Sequence, residues 1–93
     1  MASTNDYLIY VLDLLSKAQN ISYKKMMGEY LLYSNGILFG GIYDDRFLIK
    51  KVAGYNLEFK EEIPYPNAKP MYLVDIESKE EISNIINKLL LYL

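Results

Sequence analysis

Residues 27–50, MGEYLLYSNGILFGGIYDDRFLIK, are three short apolar runs separated at Asn35-Gly36 and Asp44-Asp45. Short apolar runs bounded by turn residues read as β-strands, whose side chains alternate between two faces. Asn-Gly between two such runs is a strong signal for a two-residue type I′ hairpin, because both residues tolerate positive φ. Asp-Asp is a weaker turn of the same kind. The stretch therefore predicts three antiparallel strands. Closing them on these dipeptides places Leu32 opposite Phe39, Tyr30 opposite Gly41, and Gly41 opposite Leu48. One face then collects Leu31, Tyr33, Leu38, Ile42, Phe47 and Ile49 and is expected to meet helices. The other collects Tyr30, Leu32, Ile37, Phe39, Tyr43 and Leu48, diluted by Ser34, Arg46 and Lys50. It is too apolar for an ordinary solvated face. Tyr30, Leu32, Phe39, Tyr43 and Leu48 are accordingly the candidate interaction face, the alternative being that residues 52–63 cover it.

Before this stretch, Leu8, Val11, Leu12, Leu15 and Ala18 recur at helical spacing. Ser3, three residues before Asp6, is the expected N-cap, and Asn20 the expected C-cap. Residues 21–26 form an approach to the sheet or a strand of their own, and Gly28 suggests a bulge or kink. Gly40-Gly41 within a strand calls for close packing, with Tyr30 over Gly41 and a helix near Gly40. Residues 52–59 fit two patterns: Val52, Tyr55 and Phe59 suit a helix, whereas Tyr55, Leu57 and Phe59 alternate as a strand. Pro64, Pro66 and Pro70 make a rigid loop. Residues 71–74 read as a strand. Ser78 and Glu81 form a capping box, followed by the apolar stripe Ile82, Ile85, Ile86, Leu89, Leu90 and Leu93. The expected architecture is a two-layer α+β domain: an antiparallel central meander plus a later strand, with N- and C-terminal helices on one face.

Composition narrows the chemistry. A chain of 93 residues, 52% hydrophobic and 24% charged, reads as one globular domain. It has no histidine, cysteine or tryptophan, which removes the usual general base, thiolate nucleophile and transition-metal ligands. No metal or cofactor is expected, and no catalytic residue. Glu29 stands apart at a strand edge, expected on the helix-facing side next to Ile42, where it would pair with a lysine, lie exposed, or act as an acid. A net charge of −2 speaks against a dominant nucleic-acid role. No apolar run approaches the ~20 residues of a membrane helix, and the MASTND start lacks signal-peptide character. A cytoplasmic setting without membrane contact is the expectation. Ten tyrosines suit half-buried positions and protein interfaces.

The segment MMGEYLLYSNGILFGGIYDDRFLIK, followed by YPNAKPMYLVD and a closing helix, resembles the N-terminal domain of the TfoX (Sxy) family, bacterial regulators of competence for DNA uptake. The resemblance runs from the ASTNDYLIYVLDLLS helix onward, so residues 1–93 read as that domain standing alone, without the C-terminal domain of full-length relatives. It implies an α+β fold similar to type III secretion chaperones, with a middle helix at 52–59, and it brings no catalytic residues. The expected function is a non-enzymatic regulatory or adaptor domain acting through protein contacts, including a homodimer, in competence or transcriptional regulation. The alternative is a transcriptional cofactor that binds nucleic acid directly.

Overall fold

The computed structural model describes residues 2–93. Its elements are α1 (Asn5–Leu14), β1 (Ile21–Met26), β2 (Glu29–Ser34), β3 (Ile37–Ile42), β4 (Phe47–Ile49), β5 (Glu61–Glu62), β6 (Met71–Leu73) and α2 (Lys79–Leu90). The strands form one six-stranded antiparallel sheet in the order β1-β2-β3-β4-β6-β5. This is an α+β fold with helices from both ends of the chain.

Two-residue turns build the meander. Asn35 and Gly36 have φ of 52° and 77°, and Asp44 and Asp45 have 52° and 53°, the left-handed pair that a type I′ turn requires. Met27-Gly28 is a further turn of this type, with φ of 51° and 84°, and joins β1 to β2. Gly28 thus belongs to a hairpin tip rather than a bulge.

The β3–β4 register is the expected one, with Gly41 opposite Leu48. The β2–β3 register is not. Leu32 pairs with Gly40 and Tyr30 with Ile42, because the ladder shifts between Leu32 and Tyr33 and leaves Phe39 as an extra residue in β3. One bulged residue reverses which side chains share a face beyond it. The helix-side cluster therefore contains Tyr30, Leu32, Phe39, Ile42, Phe47, Ile49 and Tyr72 beneath Leu8, Val11, Leu14, Leu15, Ile82, Ile86 and Leu89. Leu31, Tyr33 and Leu38, expected toward the helices, lie on the opposite side and are only half-buried.

The glycine pair permits this arrangement. A Cβ on Gly40 would collide with the Leu48 carbonyl oxygen and lie 3.0 Å from Ile49 Cα. A Cβ on Gly41 would lie 2.7 Å from the Tyr30 carbonyl oxygen and 2.8 Å from the Tyr43 ring. Close packing is confirmed, but the neighbours are the β4 backbone at Gly40 and, at Gly41, the Tyr43 ring together with the backbone rather than the side chain of Tyr30.

Helix α1 begins one residue later than Ser3 predicts. Thr4 is the N-cap and accepts from the Tyr7 amide, since Ser3 is engaged elsewhere. The regular helix stops at Leu14, and Asn20 takes φ 46° after a run of turns. Helix α2 starts as expected, with Ser78 accepting from the Glu81 amide. The Ser83 hydroxyl donates to the Lys17 carbonyl and ties the two helical segments together. Residues 52–59 are neither helix nor strand: a turn at Ala53-Gly54 is closed by an isolated Val52–Tyr55 bridge. The implied middle helix is absent there. Gly54 takes φ 91°, and the Tyr55 ring stacks on Tyr92 with centroids 5.4 Å apart.

Candidate functional site

The candidate interaction residues do not form an open face. Tyr30, Leu32, Phe39 and Leu48 are all buried, the first three beneath the helices. Tyr43 alone remains half-exposed. Leu48 lies on the other side of the sheet, outside the helix-side cluster. The register slip accounts for the correction: it turns Tyr30 and Leu32 inward and Leu31 and Tyr33 outward.

The outward side carries the surface features instead. A groove of ≈ 460 Å³ is lined by Leu31, Leu38, Tyr43 and Met71, by residues of the proline-containing loop, and by Lys50, Lys51 and Lys69. A neighbouring hollow of ≈ 410 Å³ shares Leu31, Tyr43 and Tyr65 with it and adds Met26, Met27 and Glu29. Both volumes fall within the range of preformed binding sites, about 300–1,000 Å³. Met27 is 97% exposed and Tyr65 59% exposed, so the rim is apolar as well as open.

One side chain positions the loop that walls the groove. The Arg46 guanidinium donates to Glu62 Oε1 at 2.7 Å, to the Ile63 carbonyl at 3.2 Å and to the Pro64 carbonyl at 3.1 Å, while its Nε donates to the Tyr43 carbonyl at 3.0 Å. Arginine suits this role because its planar fork holds several acceptors at fixed angles. The bond from Arg46 holds the Glu62 carboxyl below its ordinary range, opposed by desolvation and helped by Lys60. Pro64 is buried against this clamp. Tyr43 leans on Tyr65, with centroids 6.1 Å apart, and burial raises its hydroxyl above the ordinary tyrosine value.

Glu29 faces the groove side, not the helices, and its oxygens are occupied. Glu29 Oε1 accepts the Ser3 hydroxyl at 2.6 Å and the Ser3 amide at 3.1 Å, and Oε2 accepts the Asp44 amide at 3.0 Å. The Ser3 oxygen accepts in turn from the Asp45 amide, and Asp45 Oδ1 accepts from the Thr4 amide at 2.8 Å. A carboxylate held by several internal donors is a structural anchor, tying the start of the chain to the β3–β4 turn. Sequence reasoning missed the partnership; the only available signal was a carboxylate at a strand start with Ser-Thr at the chain start.

Among the described residues, no group of histidine, cysteine, aspartate or glutamate could hold a metal ion. Among the same residues, no helix is long and apolar enough to cross a membrane.

A curated Spirochaeta aurantia protein, described as an uncharacterized 12.7 kDa protein in the trpE 5' region, is 33% identical over 78 residues, covering 81% of this chain and 68% of that protein. No family model matches the chain. No solved structure matches it.

Proposed function

The chain belongs to the family of that 12.7 kDa spirochaete protein, and from this premise we propose that it is a non-enzymatic regulatory or adaptor domain acting through protein contacts. The observation that carries the reading is the sheet face opposite the helices. It keeps Leu31, Tyr33, Leu38 and Met71 half-exposed beside the exposed Met26, Met27 and Tyr65. Contiguous apolar surface of this kind marks interaction sites. The occupied oxygens of Glu29 support a role outside catalysis. The resemblance of GEYLLYSNG, DDR and AKPM to TfoX-type regulators supports an output in gene regulation, competence included, with the cytoplasm as the proposed compartment.

The test is crosslinking in nuclease-treated lysate of the native host, comparing the wild type with Met27→Ser/Tyr65→Ser. Both residues are exposed, so the variant should keep the wild-type melting temperature. A protein crosslinked by the wild type and lost by the variant is the expected result. A homodimer crosslink lost in the same way would make the partner a second copy. Contacts unaffected by the variant, or seen only when nuclease is omitted, would overturn the reading.

A further inference from the structure

The groove segregates charge. Lys50, Lys51 and Lys69 line it and no carboxylate does, although the chain as a whole carries −2. Lys51 is engaged by Glu61 at 3.0 Å. Lys50 and Lys69 take part in no ion pair among the described residues. The nearby carboxylates are already committed: Glu29 to Ser3 and Asp44, and Glu62 to Arg46 and Lys60. Uncompensated ammonium groups beside apolar side chains select an anion that also brings apolar surface.

The groove is also formed in advance. Prolines at 64, 66 and 70 limit its outer wall, and Arg46 fixes where that wall begins. Binding to such a wall loses little affinity to ordering. A stacked nucleotide base fits less well. The Tyr43 ring packs over Gly41 and leans toward Tyr65, which leaves Tyr65 as the one exposed ring among the groove's lining residues, whereas single-strand sites stack successive bases on several.

We propose that this groove docks an extended acidic segment of a partner protein, with an apolar side chain of the segment on Leu31, Leu38 and Met71 and its carboxylates at Lys50 and Lys69. The inference rests on the protein-contact reading above and specifies the chemistry of the partner.

The full chain would be titrated with a fluorescein-labelled decapeptide of alternating Asp and Leu, and followed by anisotropy and amide NMR shifts. Comparison probes are the same peptide with Lys for Asp, an alternating Asp and Ser peptide, and a single-stranded oligonucleotide. Saturable binding by the Asp/Leu peptide alone, with shifts at Leu31, Leu38 and Met71, is expected. Lys50→Glu/Lys69→Glu should weaken it about tenfold. Lys25→Glu/Lys88→Glu makes the same charge change away from the groove and should leave the affinity unchanged. Equal binding by any comparison probe, equal weakening by the control variant, or no saturation would overturn the proposal. A crosslinked partner lost with Met27→Ser/Tyr65→Ser but indifferent to Lys50→Glu/Lys69→Glu would sink the acidic-segment inference and leave the adaptor reading standing. Groove binding by the peptide without any crosslinked partner would sink the adaptor reading, and with it a partner protein as the occupant, leaving only the groove's preference for acidic and apolar chains.

Discussion

Replacing Glu29 with alanine removes the acceptor for the Ser3 hydroxyl at 2.6 Å, the Ser3 amide at 3.1 Å and the Asp44 amide at 3.0 Å. A hydrogen bond to a charged group contributes about 1.5–3 kcal/mol net. These bonds do not simply add. The Asp44 bond is open to water, and the Ser3 amide also has the Gly28 carbonyl at 3.0 Å. Ser3 itself is only 8% exposed, so its hydroxyl loses a partner that water replaces poorly. The expected loss is about 2–3 kcal/mol. For a domain of this size, each kcal/mol moves the melting temperature by about 4–8 °C, which gives a fall of about 8–24 °C. Glu29→Gln keeps the shape and one acceptor oxygen but turns an amide toward the donors, and should cost about 1–2 kcal/mol. Urea and thermal unfolding followed by circular dichroism measure the loss, and hydrogen exchange locates it, with faster exchange expected at Ser3 and Asp44. A cost below about 0.5 kcal/mol, the level of an ordinary surface substitution, with unchanged exchange at both amides, would refute the anchor.

Gly40→Ala should destabilise by about 3 kcal/mol or more, since its Cβ would meet Leu48 and Ile49 backbone that cannot rotate away; denaturant unfolding reads this directly. Met27→Asn should stabilise by about 1 kcal/mol, because it relieves positive φ at a 97% exposed side chain and creates an Asn-Gly turn. A matching loss of partner crosslinking would show that the strained methionine serves contact rather than folding. Glu62 carries a depressed carboxyl, chiefly through Arg46, so its stabilising contribution is full above the ordinary value of 4.5 and is lost as pH falls through the lower folded value. Urea midpoints across acidic pH should show this component in the wild type and not in Glu62→Gln.

Local chemistry was legible where a residue type has one geometric use. Asn35-Gly36, Asp44-Asp45 and the Ser78 cap on the Glu81 amide stand where the sequence places them. The sidedness of β2 was not legible. EYLLYS offers apolar residues to both faces, so alternation alone does not say which side meets the helices. The deciding feature was the extra residue at Phe39, which slips the register. Gly40 was its nearest sign, because a bulge there brings the β4 backbone too close for any Cβ. Residues 52–59 carried both periodicities and formed neither element; Gly54 at φ 91° and the Tyr55–Tyr92 stack set their course. The groove depends on Arg46 reaching the loop at 62–64, a contact that no spacing along the chain encodes.

The three short turns at Met27-Gly28, Asn35-Gly36 and Asp44-Asp45 bear on how the chain folds as well as on its final shape. They join β1 through β4 as successive neighbours, so these pairings need only small loops to close, and loop closure costs little entropy at that length. Strand β6 must instead return past residues 50–70 before it can pair with β4. The meander is therefore the natural nucleus, and the wall of the groove arrives last. Pulse-labelled hydrogen exchange during refolding should protect amides of β2 and β3 before those of Leu73 and Val74. Simultaneous protection would argue against this order. Synthesis adds a biological corollary: the helix-side face of the nascent meander lacks Ile82, Ile86 and Leu89 until α2 (Lys79–Leu90) has been made, which is the interval when a chaperone would engage it.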